Sequence, residues 1–413
     1  MIKRWYFFLL LSCDSFLYSM TFDASRGFLP LYFKPFTHRP EAYINFRAQP
    51  FFMRAERAHG DFDEVSLAHI DGTYDQVQIG KALVATGHPN LFPSRLRTLT
   101  SIPWRREGHI DAEGIAFYLE LLPGWCHPSG FYFSSGMSFL FAHVNSAQEF
   151  CLDTTSATTI AGSRQALFTL REKMDRELGV TPPLFRKTMF GDLDVYFRLG
   201  FFAEYICKVK RIDSGIKLGF IAPTADDVNS NNPASISLGG QKHWGIYLGI
   251  ENEIELKEDW TVGFQFRAIK RLPKTLTRRL PVDCEPSNYG AVVGPLRIDP
   301  GWTFVFNPYI SLEGLREGFG LKVQYTLVAH LKDTLTDVRH DKTVPVNLNP
   351  VRARSSWGTE HVTIGAFYDF NKNCEQAWWR PIISAYWDIP VDWKVSKRAA
   401  KTHSVSLMIE LNF

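Results

Sequence analysis

No stretch of this chain reaches about eighteen uninterrupted apolar residues, so transmembrane helices are excluded as its way of entering a bilayer. Cysteine is scarce, 6 in 413 residues, and no dense disulfide framework can organise the fold. Charge of one sign is missing too. Lys and Arg number 46 against 43 Asp and Glu, a net charge of +3 that excludes a nucleic-acid binder driven by bulk charge. The chain contains no Cys-x-x-Cys, His-Glu-x-x-His, Gly-x-Ser-x-Gly or phosphate-cradling glycine loop, and its 12 histidines are scattered without ligand spacing. The expectation is therefore no catalytic residues, no metal and no cofactor. What the sequence has in quantity is aromatic: 33 Phe and 11 Trp, within 14% aromatic residues overall.

The N-terminus reads as an address. Lys3 and Arg4 precede the apolar run Trp5 to Ser12, which is too short to span a bilayer but suits a secretory signal peptide over residues 1–19, cut after Ser19. Leu10-Leu11-Ser12-Cys13 is similar to the lipobox of bacterial lipoproteins, an alternative in which Cys13 would carry lipid. Residues 20–41 would then form a periplasmic segment or plug, with the rest of the chain, 42–413, as one domain.

That domain is written in alternation. In the last ten residues Val405, Leu407, Ile409, Leu411 and Phe413 alternate with Ser404, Ser406, Met408, Glu410 and Asn412, the period-two pattern of a strand with one apolar face. The same pattern runs through Asp192 to Val209, His243 to Leu256 and Phe319 to Leu331, where a helical period fails. It predicts twelve strands, near 42–54, 110–122, 129–145, 190–209, 214–225, 243–256, 260–271, 302–315, 319–333, 357–370, 379–391 and 403–413.

Connections alternate in length. Short ones fall at Pro123 to Pro128, Lys210 to Asp213, Lys257 to Asp259, Arg316 to Gly318 and Asn371 to Gln376. Long ones fall at Gly60 to Gly108, Ser146 to Phe190, Asp226 to Lys242, Leu272 to Gly301 and Thr334 to Ser356, with Asp392 to Lys401 intermediate. Trp244, Trp302, Trp357 and Trp393 sit at the long-loop ends of strands and Trp125, Trp260, Trp378 and Trp379 at the short-turn ends, the two aromatic belts of a membrane-spanning barrel. The fold class is therefore all-β: a single transmembrane antiparallel up-and-down β-barrel of about twelve strands, with long external loops and short periplasmic turns. One loop carries a helix near Ser163 to Leu178, whose stripe Leu167, Leu170, Met174 and Leu178 suits a lid, with Gly179 as a C-cap candidate.

In its architecture and free C-terminal Phe the chain resembles bacterial outer-membrane β-barrel proteins of porin-like type. The resemblance implies an outer-membrane location reached by export, with Val405, Leu407, Ile409, Leu411 and Phe413 as the signal read by the barrel-assembly machinery. It also implies contact with outer-membrane lipid and lipopolysaccharide, for which the basic loop residues Lys274, Arg278, Arg279, Arg297, Arg352 and Arg354 are suited, although plain solvated charge explains them equally.

With apolar faces outward, the opposite faces line the interior. They carry Arg47, Arg198, Lys217, Arg267 and Lys322 against Glu120, Asp194, Glu204, Glu251, Glu253, Glu255, Glu313, Asp369 and Glu410, an apparent excess of acid. Charges at membrane depth are functional candidates unless they pair across the lumen. The leading expectation is a porin-like channel for small polar solutes. Arg47, Arg198, Lys217, Glu251, Glu253, Glu255, Arg267, Glu313, Lys322 and Asp369 would line the pore and set its selectivity. The alternative is a closed barrel acting as a structural or adhesive surface protein through its loops. A lipid hydrolase fits poorly, because His143 and Ser146 are three residues apart and fall on opposite faces of a strand. His69-Ile70-Asp71 and His109-Ile110-Asp111 would pair a histidine with an acid on one face if extended, in the manner of barrel proteases, but lack a matching acidic pair. Cys151 and Cys284 share the external side and could bridge, as could Cys126 and Cys374 in periplasmic turns; Cys207 points to lipid by parity.

Overall fold

The computed structural model describes residues 44–121, 129–152, 163–205, 209–256, 259–316, 318–370 and 380–413. The expected signal peptide, periplasmic segment, Cys126, Cys207, Cys374, Trp125, Trp378 and Trp379 lie outside these residues.

Twelve antiparallel strands close on themselves: β1 (Ile44–Ala55), β2 (Pro103–Leu121), β3 (Phe131–Cys151), β4 (Leu193–Glu204), β5 (Val209–Ala222), β6 (Gly245–Leu256), β7 (Trp260–Arg271), β8 (Trp302–Arg316), β9 (Phe319–His330), β10 (Trp357–Asp369), β11 (Arg380–Val391) and β12 (His403–Asn412). Each pairs with its neighbours in sequence, and β12 pairs with β1, Asn45 opposite Asn412 and Arg54 opposite His403. The closure reaches the final residue, since the amides of Ile44 and Phe413 exchange hydrogen bonds with each other's carbonyls at 3.3 and 3.0 Å. A closed ladder leaves no strand edge unpaired, which is what a β-structure needs in lipid.

Side-chain parity sorts the wall. Phe52, Phe197, Leu199, Leu218, Ile250, Val323, Val405 and Leu407 stand exposed on the outer face, while Arg47, Asp194, Arg198, Lys217, Arg267 and Glu410 are buried on the inner one. Trp244, Trp302 and Trp393 are exposed at long-loop ends of strands and Trp260 at a short-turn end, whereas Trp357, expected in the long-loop belt, turns inward and packs beside Ile221, Tyr247, Val305 and Val328. Trp387, at mid-strand in β11, also stands exposed on the outer face.

Three local expectations change. Lys210 to Asp213, expected as a turn, is strand: Arg211 and Asp213 lie in β5 and pair with Glu204 and Phe202 of β4. The second and third strands run longer than expected, pairing out to Arg105 and Cys151, because this hairpin continues beyond the apolar band into the loop layer. There it is joined by Leu184–Phe190, a strand lying along β3. Cys151 and Cys284 are free thiols, so the bridge considered between them is not formed.

The long connections are themselves folded. The predicted helix spans Arg164–Glu177; Ser163 caps it by accepting from the Ala166 amide at 3.1 Å, and Gly179 follows at φ +71°. Its buried Leu167 and Met174 pack against a second helix, Gln76–Ala85, in a cluster with Tyr74, Leu83, Phe92, Trp104 and Tyr289. The lid therefore closes on the first long loop rather than on its own. A second unit, the strands Lys274–Leu280, Val292–Asp299 and Thr334–Asp337, buries Leu276, Leu280, Leu296 and Leu335.

Candidate functional site: the barrel lumen

On the interior wall inward tyrosines lie across glycines of the neighbouring strand, as Tyr386 does over Gly365. Four of them also bear a cation: Tyr132 over Gly200, Tyr196 over Gly136, Tyr247 over Gly219 and Tyr309 over Gly263. The glycines leave room that any side chain would fill, since a methyl on Gly219 would fall 1.9 Å from the Tyr247 ring. Each of these four rings carries its cation on its face: Arg198 on Tyr132 at 5.1 Å, Lys217 on Tyr196 at 4.3 Å, Arg267 on Tyr247 and Lys322 on Tyr309 at 4.2 Å. Three of the hydroxyls donate to a carboxylate, Tyr132 to Asp213 at 2.8 Å, Tyr247 to Asp194 at 2.9 Å and Tyr309 to Glu253.

Carboxylates complete the wall. Arg198 reaches Asp213 at 2.8 Å and Glu251 at 3.2 Å, and Lys217 meets the other Glu251 oxygen at 2.7 Å. Arg267 pairs with Asp194 at 3.1 Å and Arg47 with Glu410 at 3.1 Å. Arg211 spans Glu253 and Glu255 at 3.5 and 3.4 Å. Ser134 donates to Glu120 at 2.8 Å. Arg211, assigned to a turn, in fact faces the acidic stripe, but Asp213 joins the wall with it, so acids still outnumber cations on the inner face. All ten expected lumen residues lie on the inner face; Glu313 and Asp369 belong to it at the short-turn ends of β8 and β10.

One stretch differs. Asn307 is fully buried, yet neither its amide nitrogen nor its oxygen has a hydrogen-bond partner, and the Gln324 carbonyl oxygen also lacks one. Each buried polar group left unmet costs about 1–3 kcal/mol, so a purely structural wall would not place them there.

Above this wall, towards the long loops, the lining turns apolar. Phe51, Met53, Ala112, Ala142 and Val144 point inward and pack against Leu67 and Ile70 of the first loop and Ile236 and Leu238 of the Asp226 to Lys242 loop. Pro233 to Gln241 is buried almost throughout. The segment is pinned at both ends. Asp192 accepts from the Gly240 amide at 2.7 Å and from Arg271 at 2.8 Å, and Arg278 forms a bidentate pair with Asp227 at 2.6 and 3.1 Å. Arg279 donates to the carbonyls of Ser230 at 2.7 Å and Leu178 at 2.9 Å, joining segment to lid. Arg278 and Arg279, read from sequence as surface charge, are buried pins.

His109 and Asp111 stand two apart in the extended β2 and so share a face, lining one cleft with His69, Glu56 and Glu149; the other enzyme-like pairs do not assemble. His143 is on the outer face beside Thr188 at 3.0 Å, while Ser146 is buried on the inner one. His69 ends a 3-10 turn, Leu67–His69, so the extended geometry fails, and its partner Asp71 instead accepts from Asn288 at 2.9 Å.

No family model matches the chain, and no curated protein matches it. Among solved structures it is similar to an outer-membrane channel of Pseudomonas putida F1, with a TM-score of 0.54 and 10% identity over 92% of this chain and 100% of that one. The transport unit of the autotransporter AIDA-I from Escherichia coli is also similar, with a TM-score of 0.42 and 7% identity over 94% of each chain. The fold is that of a bacterial outer-membrane β-barrel. In such a barrel the exposed outer face meets lipid, and the inner polar wall is what a solute would meet.

Sequence reasoning placed the charges of this barrel but missed Asp213, Arg211, the four tyrosines and Asn307. The tyrosines carried a signal: Tyr196 and Tyr247 stand on the polar side of the alternation, each opposite a glycine of the next strand.

Proposed function

We propose that this protein is an outer-membrane channel for small polar solutes, held closed at its outer mouth by the Pro233 to Gln241 segment. The observation that carries the reading is the inner wall: a polar, ion-paired lining, richer in acids than in cations, with buried amides at Asn307 and Gln324 that have no protein partner. A barrel built only for rigidity would fill its interior with apolar or fully satisfied side chains. Arg47, Arg198, Lys217, Glu251, Glu253, Glu255, Arg267, Glu313, Lys322 and Asp369 would tune passage as part of an ion-paired wall with an acidic excess. Export by residues 1–19, contact with outer-leaflet glycolipid, and assembly through Val405, Leu407, Ile409, Leu411 and Phe413 belong to the same proposal.

The gate gives the test. Arg278→Gln breaks the bidentate hold on Asp227 and should raise the open fraction of the channel at least about tenfold, equivalent to ~1.4 kcal/mol, read as current in a planar bilayer. An unchanged open fraction in a conducting channel removes the segment as the gate. The folded lid over the mouth favours a second reading, a closed surface barrel acting through its loops. That reading predicts no current from either form.

A further inference from the structure

We infer that a cleft on the outer side of the wall, at the β1–β12 seam, binds a membrane lipid through a phosphoethanolamine headgroup. The inference goes beyond the channel reading and stands whether or not the lumen conducts.

The seam shows where the lipid-facing strip ends. Phe52 and Val405 lie opposite each other in register, both exposed on the outer face. One rung further towards the long loops on the same face, Arg54 lies opposite His403. The change from apolar to charged side chains therefore falls between these two rungs. A cleft of about 580 Å³ opens across it, with Phe52 and Val405 at its foot and Arg54, Glu56, Arg57, Glu64 and Lys401 around it. Backbone pairing builds its upper wall. The strand Arg57–His59 pairs with Glu64–Ser66 on one side and with Ala399–Ala400 on the other, and the Lys401 amide donates to the Arg57 carbonyl at 2.8 Å. The cleft is thus preformed.

Continuity with the lipid-facing wall identifies the occupant as a lipid. A ligand filling the cleft has one end on Phe52 and Val405, where acyl chains run, and the other among charges. Those charges are of both signs and interleaved. Arg54 pairs with Glu56 at 2.5 Å, Lys401 pairs with Glu64, and Arg57 reaches Glu64 at 4.0 Å. An anionic headgroup would meet both carboxylates. Phosphoethanolamine instead brings a phosphate for Arg57 and Lys401 and an ammonium for Glu56 and Glu64. Exposed ion pairs are each worth about 0–1 kcal/mol, so exchanging them for pairs with the headgroup costs little. Phosphocholine has the same charges but no N–H to donate to a carboxylate.

The test is native mass spectrometry of the refolded barrel in detergent, offered dioleoyl lipids with phosphoethanolamine, phosphocholine or phosphoglycerol headgroups at equal concentration. The wild type should retain the phosphoethanolamine lipid at least about fivefold better than the other two. The double variant Arg57→Gln, Lys401→Gln should lose that excess. Glu56→Gln with Glu64→Gln should reverse the order in favour of phosphoglycerol, which adventitious lipid around the barrel would not do. All three forms should keep heat-shifted gel mobility, because the cleft is held by backbone hydrogen bonds. Soluble glycerophosphoethanolamine should compete poorly, since it lacks chains to lie on Phe52 and Val405. Equal retention of the three lipids by the wild type, or a wild-type excess of phosphoglycerol, overturns the inference on its own. So does an order left unchanged in both double variants, or competition by the soluble headgroup as strong as by the lipid.

Discussion

Tyr247 shows how a single position serves the wall. Its ring fills the space over Gly219, its face carries Arg267 at 4.2 Å, and its hydroxyl donates to Asp194, which Arg267 also reaches at 3.1 Å. Packing, cation–π attraction and an ion pair are thereby tied to one side chain, and a change at any member strands the others. Gly219→Ala should cost about 1–3 kcal/mol, because the added methyl falls 1.9 Å from the ring and the ring has nowhere to go. The check is the temperature at which the barrel loses its heat-shifted gel mobility. An unchanged midpoint would mean that the tyrosine is free to move. At the other end of the chain, Phe413 is exposed on the outer face while its backbone pairs with Ile44. Phe413→Ser should leave that ladder intact yet reduce assembly in cells; normal yield would count against a terminal recognition signal.

At the scale of elements, strands were legible and loops were not. Alternation depends on neighbours two residues apart, so β6 and β12 could be read within a residue or two. Arg211 and Asp213 were misplaced because a turn was assigned from polar residues, and polar residues also mark an inner face. The Pro233 to Gln241 segment gave no local sign of burial. Its anchors, Asp192, Arg271 and Arg278, come from three other places in the chain, which a linear reading cannot assemble.

The loop layer should also respond to pH. Burial pushes His243 down to about 4, and burial together with Arg106 and Arg105 does the same to His69, whose ring accepts from the Arg106 amide at 3.1 Å. Both are neutral when folded, against an ordinary value of 6.5, so the stability they contribute is whole above pH 6.5 and is lost as pH falls towards 4. Burial lifts Asp175 to about 6, and its contribution runs the other way, present below pH 3.8 and lost as pH rises through 6. Protease nicking of the Asp226 to Lys242 loop should therefore increase between pH 6.5 and 4, as His243 lies next to it, while the lid helix gains protection over the same range. Nicking that is flat with pH would separate His243 from the hold on the segment.

For the whole molecule, twelve strands set a lumen between a barrel filled by side chains and an open aqueous one. Here the lining charges decide its character. Arg47, Arg198, Arg211, Lys217, Arg267 and Lys322 face Glu120, Asp194, Asp213, Glu251, Glu253, Glu255, Glu313, Asp369 and Glu410, so the wall is ion-paired with an excess of acid. The sequence supplied nearly all of these residues through parity, but their pairing depends on register across four or more strands, and that is a property of the closed barrel. The measurement that tests the account most directly is single-channel recording of the refolded barrel, its folding verified by heat-shifted mobility. The account predicts discrete, reproducible conductance steps with a preference for cations, more frequent in Arg278→Gln. A folded barrel that stays silent in both forms would contradict it.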